Sequence, residues 1–217
     1  PQGRLTLTAP SWLAQSVLAP LLTGFCTTYP DVQVEVLATS EPLDLVTADI
    51  DLAFRLWMGP LPTSQLIARR LGRLPMQIYA GTSYLARHAP PTRPEDLAAH
   101  PALAITGHRR TDADSWRLSD GETSRDYPIR AVAIANDPEV LKQMMLGGGG
   151  LLLATELQMR STVLAGEARV VLPAWHDPGP DLYAVLPTGR LQPLKVRLLL
   201  DDLVPRLALA HAPKPSE

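Results

Sequence analysis

The stretch LTLTAPSWLAQSVLAPLLTGFCTTYPDVQVEVL, residues 5–37, has the pattern of two strands separated by a helix. Leu5, Leu7 and Ala9 alternate with threonine, which is the period of a strand, and a proline ends it. Pro20 lies inside the helical segment, so the helix is predicted to kink there or to restart with proline in its first turn. Apolar residues spaced four apart predict its buried face: Leu13, Val17, Leu21 and Phe25. The second strand is predicted to carry three valines on one side: Val32, Val34 and Val36.

The stretch ADIDLAFRLW, residues 48–57, adds a third strand, predicted from Asp51 to Phe54, which runs directly into Arg55. A short helix that starts at residues 40–42 is expected before this strand. The order strand, helix, strand, helix, strand predicts a parallel sheet covered by helices. The arginine at the end of a buried strand either pairs with a carboxylate of its own chain or faces a site where an acidic molecule binds.

The second half of the chain reads as a further α/β series. Its strands are predicted at 66–71, 76–80, 102–105, 130–135, 151–154, 169–172 and 182–186. The polar residues 107–127 are expected to form an irregular excursion or a hairpin around Trp116 and Leu118. The last helix is predicted to start at Pro193 and end by Pro205, with a disordered tail over 210–217.

Helix starts in this half carry capping signals, because side chains that accept hydrogen bonds there satisfy free backbone N–H groups. They are Thr92 with Glu95, Asn136 or Asp137 ahead of Pro138, and Thr155 with Gln158. Gly147 is the expected stop of the second of these helices. The run from Gly147 to Gly150 lacks the Lys-Ser/Thr of a phosphate-binding loop, so it is expected to provide a helix stop with close backbone packing.

The strands near 66–80 and 170–186 lie where the chain can cross from one α/β series to the other. Two crossings predict two lobes, the first over 4–73 and 176–209 and the second over 74–175. Ligands of open α/β sheets bind beyond the carboxyl ends of the strands. Helix N-termini are therefore expected to point into a cleft between the lobes.

Composition and charge narrow the functional classes. Apolar residues make up 46% of the chain and charged residues 19%, as in packed globular domains. The 20 Lys and Arg against 22 Asp and Glu form no basic footprint for nucleic acid, so any DNA contact belongs to another part of the protein. Cys26 is the only cysteine, which excludes an internal disulfide and favours a reducing compartment, the cytoplasm. No apolar run approaches the roughly 18 residues that a membrane span needs.

Several segments, in their order and spacing, resemble the effector-binding domain of LysR-type transcriptional regulators. They are GRLTLTAP (3–10), LAPLLTGFCTTYPDVQVEV (18–36), DIDLAFRL (49–56), YLARHAPPTRPEDLAAHPAL (84–103) and LKVRLLLDDLV (194–204). The likeness spans Gly3 to about Leu209 and is nearest to the subgroup with an arginine after the Asp-Leu-Ala strand. Four glycines followed by two leucines replace the family's Gly-x-Gly-Ile pattern, which leaves the shape of that loop open.

This resemblance implies a type 2 periplasmic-binding-protein-like fold, with two α/β lobes, two crossover strands and a ligand cleft between the lobes. It also implies an N-terminal winged helix-turn-helix that binds DNA, expected ahead of the abrupt start at Pro1. The family further implies a homodimer through the first-lobe helix and the second strand, often paired again into a tetramer. The expected partner is a small-molecule effector, and no membrane is involved.

The candidate effector-binding residues follow the carboxyl ends of the predicted strands. They are Ser11, Trp12, Thr39, Ser40, Arg55, Thr106, Asn136 and Asp137. Arg55 either fixes an effector carboxylate by a two-pronged hydrogen bond or forms a structural ion pair with Asp51 or Glu41. Ser11 is expected to cap the first helix, whose start also favours anions, and the two roles are compatible.

Three of the remaining candidates also have a structural alternative to ligand contact. Trp12 is expected either to line the cleft or to pack on a neighbouring loop. Asn136 and Asp137 are expected to cap a helix, with ligand contact as the second possibility. The arginine and the helix starts indicate a small organic anion, and Trp12 and Trp57 add an aromatic preference.

Catalysis has no support in the sequence. Gly-x-Ser-x-Gly is absent, no motif places a pair of carboxylates, and no histidines have metal-binding spacing. We therefore expect no enzyme, no cofactor and no metal. The leading hypothesis is the effector-sensing domain of a LysR-type regulator, and the alternative is a free-standing solute-binding protein for uptake of a small organic anion. Residues upstream of Pro1 would distinguish them, as a helix-turn-helix or as a charged-then-apolar leader.

Overall fold

The computed structural model describes residues 1–41, 43–58, 66–106, 114–187 and 193–210. The chain divides into two units, Pro1–Leu74 with Pro180–Glu217 and Pro75–Gly179. It therefore passes between them at residues 74–75 and 179–180, within the segments where crossings were predicted. Beyond residue 210, the predicted disordered tail lies outside the described residues.

The strands have the following bounds: β1 Gly3–Ala9, β2 Val32–Ala38, β3 Leu52–Trp57, β4 Leu66–Arg73, β5 Met76–Gly81, β6 Pro101–Ile105, β7 Ser115–Ser119, β8 Ser124–Pro128, β9 Arg130–Ala135, β10 Leu151–Thr155, β11 Ala168–Val171 and β12 Asp181–Pro187. The helices are α1 Ser11–Leu13, α2 Ala19–Thr28, α3 Thr82–Leu85, α4 Pro138–Leu146, α5 Glu156–Leu164 and α6 Leu194–Ala210. A π-helical segment, Ala14–Leu18, joins α1 to α2, and a 3₁₀ helix covers Pro94–Ala99.

The first unit is built on a sheet with the strand order β2-β1-β3-β12-β4. β1 runs parallel to both β2 and β3, as the sequence predicted, whereas β12 is antiparallel to its two neighbours. From Leu5 to Ala9 every residue of β1 is buried, because this strand is central and covered on both faces. The carboxyl ends of three parallel strands consequently meet at one edge of this sheet.

The buried face of the first helical stretch differs from the predicted one. Leu13 and Phe25 are buried as expected, but Leu18 and Leu22 take the places predicted for Val17 and Leu21. The π-helical segment adds one residue to a turn and so shifts the apolar register. The Ala19 N–H bonds to the Ala14 carbonyl, five residues back, and Pro20 then lies in the first turn of α2. The helix thus restarts around a proline that has no N–H to donate.

Two further predictions for the first unit need correction. β3 continues through Arg55 to Trp57, so the arginine lies within the strand, opposite Tyr183 of β12. The short helix expected from residues 40–42 is not formed in the described residues 43–50, which contain turns at 45–49. The Asp44 carboxylate accepts hydrogen bonds from the backbone N–H groups of the two residues at 46 and 47, which favours a turn.

The second unit has a sheet with the order β11-β5-β10-β6-β9. β10, β6 and β9 are parallel to one another, and β5 is antiparallel to β10. β7 and β8 form the hairpin expected around Trp116 and Leu118, which are both buried. The part of the predicted excursion at 107–113 lies outside the described residues.

Helix capping in the second unit agrees with the sequence at two starts and differs at one. Asp137 and Thr155 accept backbone hydrogen bonds from residues 139 and 158, at 2.7 and 3.2 Å. Before the 3₁₀ helix, however, Asp96 replaces the predicted Glu95, and Arg93 takes the cap position predicted for Thr92. Because proline at position 94 occupies the first helical position, the third helical residue becomes Asp96. This prediction was therefore wrong by one residue.

The glycine run ends α4 as expected. The Gly147 N–H bonds to the Gln143 carbonyl at 3.0 Å, and Gly150 has a φ of +140°. A Cβ at Gly150 would collide with the carbonyl of Pro101, so the run provides a helix stop with close backbone packing. β10 begins directly after the four glycines, at Leu151.

The last helix is longer than predicted, because it continues through Pro205 to Ala210. A proline in a helix removes one backbone hydrogen bond, here to residue 201. The apolar face of α6 is buried ahead of this point and holds the helix against the first unit: Val196, Leu199, Leu200 and Leu203. The prediction that the helix ends by Pro205 was therefore wrong.

Candidate functional site

The candidate residues of the first unit gather at the carboxyl edge of its sheet. β1 and β2 are in register from Gly3 with Val32 to Ala9 with Ala38, and the residues that follow both strands therefore lie side by side. The Thr39 N–H donates to the Ala9 carbonyl at 2.8 Å. The structure thus brings together the residues predicted on this side: Ser11, Thr39, Ser40 and Arg55.

Arg55 reaches across this edge from β3. Its Nη1 donates to the Phe54 carbonyl at 3.0 Å, and its Nη2 donates to the Thr8 hydroxyl at 3.3 Å and to the Glu41 carbonyl at 3.4 Å. All three acceptors are neutral oxygens. Burial lowers the pKa of the Arg55 guanidinium from its usual value, although an arginine stays charged at neutral pH.

Neither carboxylate proposed as a structural partner pairs with Arg55. Asp51 accepts from the Thr6 N–H at 3.0 Å and forms an ion pair with Lys195 at 3.1 Å. Glu41 contributes its carbonyl and not its carboxylate. Within the part of the chain that the structure describes, no carboxylate lies at ion-pair distance from Arg55. Among the described residues, the site therefore presents a half-buried cation whose charge is not balanced by a neighbouring anion.

Ser11 does not have the capping role expected of it, and Trp12 is buried. Pro10 occupies the cap position of α1, and no side chain caps the helix, so Ser11 is the first helical residue and not its N-cap. Proline suits this position because its extended backbone precedes the first turn. Trp12 is only 2% exposed, which favours packing in the core over an open aromatic wall.

The second unit places its candidate residues at the carboxyl edge of its own sheet. β6 and β9 are parallel with Ile105 opposite Ala135, so Thr106 and Asn136 follow at the same level. Both side chains are exposed, and the Thr106 N–H donates to the Ala135 carbonyl at 2.8 Å. Asp137 caps α4, which is the structural role predicted for it.

Sequence reasoning missed two polar groups near these edges. Thr8 was not among the candidate residues, yet its side chain is fully buried and bonds to Arg55. Glu139 forms an ion pair with Lys142 at 2.7 Å, while its Oε2 is buried without a hydrogen-bond partner among the described residues. The signal for Thr8 was its place in the central strand of a predicted parallel sheet, which is covered on both faces.

Other chemical features of the described residues are few. No group of three or more His, Cys, Asp or Glu side chains among them is arranged to hold a metal ion. None of their helices has both the length and the apolar character needed to cross a bilayer. Cys26 is exposed on α2 and is a free thiol.

Comparison with known proteins identifies the family of this chain. The family model of the LysR substrate binding domain matches residues 1–208. An HTH-type transcriptional regulator of Xanthomonas campestris is 40% identical over 209 residues, which cover 95% of this chain and 60% of the relative. The transcriptional activator AaeR of Escherichia coli is 30% identical over 205 residues, which cover 94% of this chain and 64% of AaeR. The chain thus spans less than two thirds of these relatives, which are named as regulators and not as enzymes.

A solved structure supports the same assignment. The regulatory domain of CrgA, a LysR-type transcriptional regulator from Neisseria meningitidis, superposes with a TM-score of 0.83 at 26% identity. The match covers 95% of this chain and all of that domain, at 100%. The fold is therefore the two-lobed, periplasmic-binding-protein-like α/β fold that the sequence predicted. The chain belongs to the LysR substrate-binding domains, the effector-sensing regulatory part of LysR-type transcriptional regulators.

Proposed function

We propose that this domain senses a small organic anion and that Arg55 binds the anionic group. The observation that carries the proposal is a half-buried guanidinium whose three hydrogen-bond acceptors are all neutral. A cation removed from water is stabilised by an opposite charge, and an arginine–carboxylate contact is a strong, charge-assisted one. An effector carboxylate supplies the charge that the described part of the protein does not.

The neighbours of Arg55 support a ligand with hydrogen-bonding and aromatic parts. Thr39 and Ser40 lie beside it at the end of β2, and Trp57 follows two residues later along β3 and is half-buried. On the second unit, Thr106 and Asn136 offer exposed polar side chains. We propose that each set is available for effector contact at the carboxyl edge of its own sheet, as residues at such edges commonly are.

In the whole protein, we propose that the effector controls DNA binding by an N-terminal winged helix-turn-helix. Effector binding shifts the balance between two arrangements only by its differential affinity for them. A DNA-binding regulator of this kind works in the cytoplasm. The alternative of an uptake protein is not favoured, because the relatives are transcriptional regulators.

We propose that the domain forms a homodimer through α2 and β2, with further pairing into a tetramer. β2 is an edge strand of the first sheet, and such edges are open to other chains unless they are covered. Val36 of β2 is 38% exposed, which leaves apolar surface on that strand. Light scattering of the purified domain at increasing concentration measures the mass and tests this assembly.

The anion site is tested by thermal denaturation against a panel of aliphatic and aromatic monocarboxylates, each paired with its neutral amide. A ligand of the native state raises the melting temperature, so we expect an acid to do so and its amide not to. Arg55→Ala should abolish this shift, whereas Arg70→Ala, which removes an exposed arginine of the same sheet, should retain it. An unchanged shift in Arg55→Ala would rule out the proposed role.

A further inference from the structure

The hydrogen bonds of Arg55 restrict how an anion can bind. A guanidinium carries five N–H groups, and Nη2 supplies two of them. In this structure both are engaged, one with the Thr8 hydroxyl at 3.3 Å and one with the Glu41 carbonyl at 3.4 Å. Both distances exceed the usual 2.9–3.0 Å of such bonds by about 0.3 Å or more, so these are weak contacts.

A two-pronged carboxylate contact uses one edge of the guanidinium. The edge consists of Nη2 with Nη1, or of Nη2 with Nε, so either choice needs one N–H of Nη2. Because Thr8 and Glu41 occupy both of these N–H groups, a carboxylate must displace one acceptor.

The two acceptors differ in how easily they can leave. Thr8 is 0% exposed and lies in β1, the strand held between β2 and β3. Glu41 is exposed, lies after β2, and makes the longer contact. A carbonyl released at an exposed position exchanges its hydrogen bond for one to water at little cost, whereas a buried hydroxyl has no such replacement.

We propose that an anion bound by Arg55 displaces the Glu41 carbonyl and so releases the backbone that follows β2. This inference rests on the anion binding proposed for Arg55. Residue 42 lies outside the described residues, and beyond it the buried side chains of Leu45 and Ile50 hold the turn at 45–49 in place. Since β2 is the edge strand proposed for the dimer contact, the release couples an occupied anion site to the end of that strand.

The direct test uses formate, the smallest carboxylate, with formamide as the neutral control. A carbon-detected NMR spectrum that correlates the Glu41 carbonyl with the nitrogen of Pro42 reports whether this carbonyl accepts a hydrogen bond. We expect its carbon resonance to move with added formate, not to move with formamide, and not to respond to formate in Arg55→Ala.

A matched pair of variants tests the cost of release. Glu41→Gln and Glu41→Gly both remove the negative charge, but glycine gains more backbone freedom when the segment is released. We expect Glu41→Gly to bind formate about 2–5-fold more tightly than Glu41→Gln, which corresponds to the usual entropy effect of a glycine. Equal affinities, or weaker binding by Glu41→Gly, would overturn the displacement.

The outcomes separate the two proposals. Formate binding that depends on Arg55 but leaves the Glu41 carbonyl unmoved overturns the displacement and retains the anion site. Absence of any Arg55-dependent response to formate overturns both.

Discussion

Two strands of the first sheet carry arginines whose surroundings differ in kind. Arg70 and Arg73 of β4 share one carboxylate, Asp181 of β12, at 2.7 and 3.1 Å, and their side chains are 54% and 53% exposed. Arg55 of β3 is more buried, yet its partners are a hydroxyl and two carbonyls. The same sheet therefore contains arginines in structural ion pairs and, as far as the described residues go, an arginine that forms none.

This difference shows which features of an arginine indicate function. Charges in an interior are normally paired, whereas exposed pairs contribute little to stability because water screens them. A fold that needed Arg55 only for stability would be expected to give it a carboxylate, as it does for Lys195 with Asp51. The pairing of Arg70 and Arg73 thus makes the neutral surroundings of Arg55 more informative.

The largest effect is expected from Arg55→Met, which replaces the cation with an apolar chain of similar length. Anion-induced stabilisation should disappear. The free energy of unfolding without ligand should change by no more than about 1 kcal/mol, because the substitution removes the desolvation cost of a half-buried charge together with the stabilisation from its hydrogen bonds. Urea unfolding with and without a stabilising carboxylate measures both quantities. A large loss of stability without ligand would place Arg55 among the structural arginines and remove the contrast.

The next effect is expected from Lys195→Met, which leaves Asp51 without its cation. The two side chains are only 18% and 17% exposed, so we expect a loss of about 2 kcal/mol in the free energy of unfolding. Arg4→Met, which removes an exposed ion pair with Glu35, serves as the control and should cost less. An equal loss in both variants would contradict the role assigned to burial.

A smaller, pH-dependent effect is expected from Asp181→Asn. Hydrogen bonds from Arg70 and Arg73 lower the pKa of Asp181 from 3.8 to about 2. Its contribution to stability is therefore fully present above the unfolded value and is lost as the pH falls through about 2. Urea unfolding of both proteins at a series of acidic pH values should show a difference that shrinks as the pH is lowered. A difference that grows toward low pH would refute this pairing.

The smallest effect is expected from Arg73→Gln. Asp181 keeps Arg70 at 2.7 Å, and the removed side chain is exposed, so the melting temperature should stay close to that of the unchanged protein. Differential scanning calorimetry checks this expectation. A clear decrease would mean that the two arginines act as one network and not as separate surface contacts.

The succession of strands and helices along the chain was predictable, because strand alternation and helix periodicity extend over many residues. The parallel start of the first sheet and the hairpin at Trp116 both follow from such patterns. The π-helical turn was not predictable, since Leu13, Val17 and Leu21 are spaced four apart and fit a regular α-helix equally well. Its effect appears only in packing, where Leu18 replaces Val17 on the buried face.

The sequence predicted where the candidate residues lie in the fold, but it did not predict which atoms they contact. Parallel strands end at a common edge, and this places Thr39 and Arg55 together without knowledge of any side chain. Asp51 lies just before β3 and Arg55 lies four residues further along, roughly 13 Å away in an extended strand, so the two side chains do not pair, and Asp51 pairs with Lys195 of α6. The acceptors of Arg55 on Thr8 and Glu41 are distant from it in the sequence and have no local signal, so these contacts required the structure.

The strand order of the first sheet has a consequence for biosynthesis. β12 lies between β3 and β4, so β4 has no partner in this sheet until the C-terminal part of the chain has left the ribosome. The second unit is one continuous stretch, Pro75–Gly179, and can complete its sheet earlier. The second unit can therefore complete its sheet before the first unit does, although β1 to β4 of the first unit precede it in the chain.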